Sequence, residues 1–158
     1  MVIKLSRKLF LFAVLTVIWM AVIFFFSSQN GEESSGVSEK LLIFLCGLFD
    51  FSPSPDTKHL LLLLIRKGAH MTEFGILALL WLGTLRSGTD KAKWHYPAAF
   101  AAASLYAATD EIHQLFVSER AGQLTDWMID SAGAMIFLCI GWLITKVIKN
   151  IKTIISKG

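Results

Sequence analysis

The chain has 158 residues, enough for one domain, with 54% hydrophobic residues, 17% charged residues and a formal net charge of +3. The charged share lies well below the roughly 25% usual for globular proteins, and mean hydropathy is positive, so the composition sets the chain with membrane proteins and not with soluble ones. The small positive charge gives no sign of nucleic-acid binding. With two cysteines, Cys46 and Cys139, no disulfide framework is possible, and both read as packing residues.

The first element is an uncharged apolar run from Leu9 to Phe26, preceded by Lys4, Arg7 and Lys8. It exceeds the apolar core of a signal peptide and no small-x-small cleavage signal follows, so it reads as a retained anchor. Ser27 to Gly36 is rich in Ser, Gln, Asn, Gly and Glu and reads as a loop. Two short apolar runs follow, Leu41–Phe49 and Leu60–Ile65, separated by Ser-Pro-Ser-Pro at 52–55. Each is too short to span a bilayer. They are expected as interfacial or partly re-entrant helices on the outer face over about 37–67, although the second could instead open the next helix.

A second span is expected at about 68–85. The third, about 97–117, opens on Trp94-His95-Tyr96-Pro97 and is Ala-rich, which suits close helix packing and predicts that it is the central helix. The fourth covers about 126–146 and runs into Lys146, Lys149, Lys152 and Lys157. The fold expected is all-α, a single membrane domain over 1–158. It is an integral membrane four-helix bundle with short interfacial helices on the outer face between the first and second spans.

Charge predicts the orientation. Basic residues dominate the N-terminus, the loop at Arg86, Lys91 and Lys93, and the C-terminal tail, whereas acids are in excess over 27–67 and 110–130. Basic segments stay in the cytoplasm, so the expected product is a multi-pass cell-membrane protein with both termini inside.

Helical rise then sets the depth of the polar residues. Glu73 lies about 20 Å and His70 about 24 Å from Arg86, Asp110 about 20 Å and His113 about 24 Å from Pro97, and Asp130 about 24 Å from Lys146. Three helices thus carry their ionisable groups to one level. His70 and Glu73 share a face, as do Asp110, His113 and Gln114, and as do Asp126 and Asp130; Glu111 shares a face with Gln114. A charge facing lipid is costly, so these faces are expected to converge on a pocket at the outer leaflet, with Arg66, Lys67 and Arg120 at its mouth.

The same residues carry a family resemblance. Phe26-Ser27-Ser28-Gln29, then Arg66-Lys67-x-x-His70-x-x-Glu73-Phe74, then Asp110-Glu111-x-His113-Gln114-x-Phe116 with Arg120, Asp126, Asp130 and Gly133, resemble the VanZ family over nearly the whole chain. The resemblance implies an association with reduced susceptibility to the glycopeptide teicoplanin, and it sets Ser28 and Gln29 beside the binding residues. Phe74 stands where the family often has Tyr, which weakens any role for a phenol there.

Two readings of the pocket follow. In the first, it acts on a membrane lipid or lipid-linked wall precursor by acid–base chemistry, with Glu73 or Asp110 as base, His113 as proton shuttle, Asp126 and Asp130 as orienting groups, and His70 and Glu111 beside them. Arg66, Lys67 and Arg120, with Gln114, Ser28 and Gln29, would hold the substrate's phosphate or carboxylate. A divalent metal held by His70, Glu73, His113 and an aspartate is a variant of this reading, without a firm zinc signature to support it. In the second, the pocket binds or shields a lipid, a wall precursor or a glycopeptide antibiotic without turnover. An ion pathway fits least, because the inner halves of the spans lack ionisable steps.

Overall fold

The computed structural model describes residues 6–89 and 92–156; Lys4, Lys91 and Lys157 lie outside them. Among the described residues there are five α-helices, one short 3-10 turn and no strand.

Helix α1, Arg7–Ser27, begins where the Ser6 hydroxyl accepts from Leu9 N–H. It is apolar all round, and Val17 and Phe25 are each 65% exposed. Helix α2, Gly31–Leu48, starts on a capping box in which Asn30 Oδ1 accepts from Glu33 N–H and Glu33 accepts from Asn30 N–H. That reciprocal pair satisfies two donors that a helix start otherwise leaves open, and it overrides the Ser- and Gly-rich composition. The loop expected over Ser27–Gly36 is therefore mostly helix.

Helix α3, Pro55–Gly88, is one continuous rod of 34 residues. Ser54 caps it and Pro55 occupies its first turn, where a missing N–H costs nothing. The run Leu60–Ile65 is thus the opening of α3, so α2 alone remains as a separate element of the segment expected at the interface. A 3-10 turn at Ala92–Trp94 leads into α4, His95–Gln114. Helix α4 stops short of the expected residue 117, because its last carbonyls are taken by tightened turns: Leu115 N–H to Ile112 C=O and Phe116 N–H to His113 C=O. Helix α5, Leu124–Ile155, runs well past the expected end at 146.

Helices α1, α3, α4 and α5 alternate in direction. At what we term the upper end, Gln114 of α4 meets Ser27 of α1, and Lys67 of α3 meets Asp126 of α5. At the lower end, Arg86 of α3 meets Tyr96 of α4. The hub is α3, which packs on all four other helices, and not the Ala-rich α4. Its length explains this, since its upper turns reach α2 while its lower turns face the other three. The small residues of α4 nevertheless do the expected work: Ala99, Ala103 and Ala107 are fully buried in one core with Phe74, Leu77, Ala78 and Leu138. Gly133 of α5 lies so close to α3 that a Cβ there would sit 2.3 Å from the Met71 carbonyl oxygen.

Both cysteines are free; Cys139 lies exposed on α5, contrary to the packing role expected of it. Two helices, α1 and α5, are long and apolar enough to cross a membrane by themselves.

Candidate functional site

At the upper end, a cavity of about 480 Å³ opens between α2, α3 and the segment joining α4 to α5. Arg66, Lys67 and His70 of α3 line it, facing Arg120, Gln123 and Asp126. Four polar side chains beside it are almost removed from solvent: Asp110 is 4%, Glu111 7%, Gln114 4% and Asp130 1% exposed.

Each is placed by its own helix. Asp130, on the α5 face that Gly133 allows against α3, brings Oδ1 to 4.0 Å from His70 Nδ1, while Glu73 Oε2 approaches that nitrogen to 3.9 Å. Neither oxygen of Asp130, nor His70 Nδ1, has a hydrogen-bond partner among the described residues. Buried polar atoms are rarely left so in a purely structural network, and these three face one another across α3 and α5. The Trp19 indole fixes the backbone at this level by donating to the Glu73 carbonyl at 2.9 Å.

On the other side, Gln114 Nε2 donates to both Asp110 Oδ2 (3.1 Å) and Ser27 Oγ (3.2 Å), locking α4 to the end of α1. Glu111 accepts from Gln123 N–H at 2.7 Å, at the start of α5, where a carboxylate suits the helix dipole. Gly122 makes that turn possible, since a Cβ there would lie 2.2 Å from the Glu111 carbonyl oxygen. Asp126 pairs with Lys67 at the rim.

Arg120 reaches in from the connecting segment. Its Nε donates to the Gln29 carbonyl at 3.1 Å. Burial pushes its guanidinium below the usual value, as does nearby Arg66, while Asp110, Glu111 and Glu73 act in the opposite direction. Carboxylates of both α3 and α4 thus act on this one cation.

Three expected members are placed elsewhere. His113 stacks on Phe24 with ring centroids 4.5 Å apart, and its Nε2 lies 3.3 Å from Ser28 Oγ, so it faces α1 and is not among the cavity's lining residues. Ser28 and Gln29 line a separate shallow hollow between α1 and α2. The metal set built on His70, Glu73 and His113 is thus not assembled, and among the described residues no three of His, Cys, Asp and Glu stand in metal-holding geometry.

The sequence reading gave Ser27 no role of its own and overlooked Gln123, Glu119 and the α2 residues Ser35 and Ser38. Glu119 holds a positive φ of 60° and its carboxylate accepts from Glu32 N–H at 3.2 Å, pinning the connecting segment to the start of α2. Ser35 accepts from Arg66 at 2.5 Å. The capping box at Asn30 and Glu33 was the signal that could have placed α2, and with it these serines, over the cavity.

An all-helical protein with apolar helices around a buried group of carboxylates and imidazole is the class that fold and site define. Within that class, the family model VanZ/LLP1 matches residues 12–148, and the chain belongs to that family. No curated protein and no solved structure matches it.

Proposed function

We propose that the chain is a multi-pass membrane protein whose upper cavity takes the anionic headgroup of an envelope lipid or lipid-linked wall precursor at the outer leaflet and acts on it by proton transfer. Supporting the membrane reading, Val17 and Phe25 of α1, Leu105 of α4 and Ile144 of α5 lie exposed, surfaces that hydrocarbon and not water would cover. Helix α1, the part of α3 below about Gly68, α4 and α5 supply four crossings, and the basic residues at the lower end put both termini in the cytoplasm. The upper turns of α3 stand above the hydrocarbon and carry the mouth of the cavity.

One observation carries the functional reading: Arg66, Lys67 and Arg120 line the mouth of a cavity that His70 also lines, beside the unpartnered Asp130. Cations at the mouth suit a phosphate or carboxylate. Below them, His70, Glu73, Asp110 and Asp130 are groups that give and take protons. His70, at 3.9 Å from Glu73 and 4.0 Å from Asp130, is the imidazole that serves these two carboxylates, and Asp126 serves by holding Lys67. The teicoplanin association of the family fits a protein that alters or covers a wall precursor.

Mass spectrometry of lipids and wall precursors from cells with and without the protein tests this. The wild type should shift one lipid-linked species, and Asp130→Asn should slow that shift by roughly 10²–10⁴-fold while membrane insertion stays normal. Arg120→Gln should weaken binding of the same species. Unchanged profiles in every case, with teicoplanin susceptibility still altered by the wild type, would overturn turnover and leave a shielding protein.

A further inference from the structure

The lower end carries a second constellation, remote from the upper cavity. Between α4 and α5 runs an apolar groove of about 580 Å³, walled by Tyr96, Pro97 and Phe100 on one side and by Met135, Leu138, Cys139 and Trp142 on the other. The α5 residues fall at helical spacing on one face, and from Trp142 to Met135 the wall rises about 10 Å. Just below lies a hollow of about 520 Å³ that shares Tyr96 and Trp142 with the groove and is lined by Arg86, Lys146 and Lys149, with no acid among its described lining residues.

Cations and rings are paired at the junction. The Arg86 guanidinium lies 4.9 Å from the Tyr96 ring centroid, and its Nη2 donates to the Tyr96 hydroxyl at 2.7 Å. Lys146 lies 5.0 Å from the Trp142 ring centroid. Aromatic rings beneath basic side chains mark the headgroup level of a bilayer. The orienting role of basic loops accounts for the lysines, but not for a groove that opens onto them.

We propose that groove and basic hollow form one site for an anionic phospholipid of the leaflet at the lysine-rich end. Its phosphate meets Arg86, Lys146 and Lys149, and one acyl chain lies along Phe100, Met135 and Leu138. Charge selects the occupant: a zwitterionic headgroup brings a cation of its own against the three already present, whereas an anionic one brings only negative charge. The site rests on the membrane reading above and is independent of the chemistry of the upper cavity.

The test uses the full-length protein in nanodiscs of phosphatidylcholine with a minority of phosphatidylglycerol, with lipids retained after re-extraction counted by native mass spectrometry. Phosphatidylglycerol should be retained in excess of its share. Lys146→Ala with Lys149→Ala should lower that excess by about five-fold for each lysine removed. Met135→Trp, which fills the groove and leaves the charges, should lower retention of both lipids, and Lys152→Ala, which removes an exposed charge of α5 that lines neither groove nor hollow, should change neither. Retention in proportion to the disc composition would overturn the proposal, as would an equal loss of the excess in Lys152→Ala. Efficient Cys139–Cys139 cross-linking between copies would overturn it too, because a second chain would then cover the groove.

Discussion

In the middle of the bundle, Ala99, Ala103 and Ala107 of α4 share a core with Phe74, Leu77 and Ala78 of α3 that holds no ionisable side chain. One or two turns higher, the same helices bury Asp110 and Glu111 and approach Asp130, whose oxygens find no donor. Small neutral hydroxyls lower down are paired, Thr16 with Thr84 at 3.1 Å and Ser104 with Ser131 at 2.8 Å, although the buried Trp81 indole N–H has no partner among the described residues. So the chain satisfies small polar groups where helices pack and leaves charged ones unsatisfied where the cavity opens. Stability should reside in the first region and chemistry in the second, the separation expected when a site is assembled against the interests of packing.

That contrast can be broken at three places. The largest effect on stability is expected from Ala103→Leu, which forces a bulky side chain into a fully buried position and should cost about 1–3 kcal/mol, read as earlier thermal unfolding in detergent. A smaller loss, about 1 kcal/mol, is expected from Asn30→Ala, which removes the α2 cap; hydrogen exchange should show the loss confined to α2 and the segment it holds. Smallest of all, Asp130→Asn should leave unfolding within about 0.5 kcal/mol of the wild type or raise it, since a charge without a donor gives no stability to lose. A loss above about 2 kcal/mol there would mark Asp130 as a structural residue and erase the distinction between the two regions.

Much of this was legible in the sequence where a single physical rule dominates. The first helix differs from its expected bounds, 9–26, by a residue or two at each end, because an uninterrupted apolar run leaves the chain no alternative. Helical rise placed His70, Glu73, Asp110 and Asp130 at one level, because rise depends only on counting residues. What failed were judgements that needed a partner. The sequence leaves open whether Leu60–Ile65 stands alone or opens α3, and it is Ser54 and Pro55, capping and starting the longer helix, that decide for the second. The centrality of α3 depends on how far a 34-residue rod reaches past its neighbours. His113 and Ser28 share the level of the site but turn toward Phe24, since depth fixes height and says little about azimuth when a ring and a hydroxyl lie next door.

The walls of the cavity differ in what holds them. Helices α3, α4 and α5 are joined through a shared buried core, but α2 buries only Ser38 and Leu42 and is otherwise attached by Lys58–Glu39, both 46% exposed, by Arg66 on Ser35 and by Glu119 on the Glu32 amide. Attractions that dissolved ions can reach fade as ionic strength rises, while those within the bundle do not. Brine should therefore loosen one side of the chamber and spare the rest, which under the proposed function makes α2 the flank by which a headgroup slips in sideways from the bilayer surface.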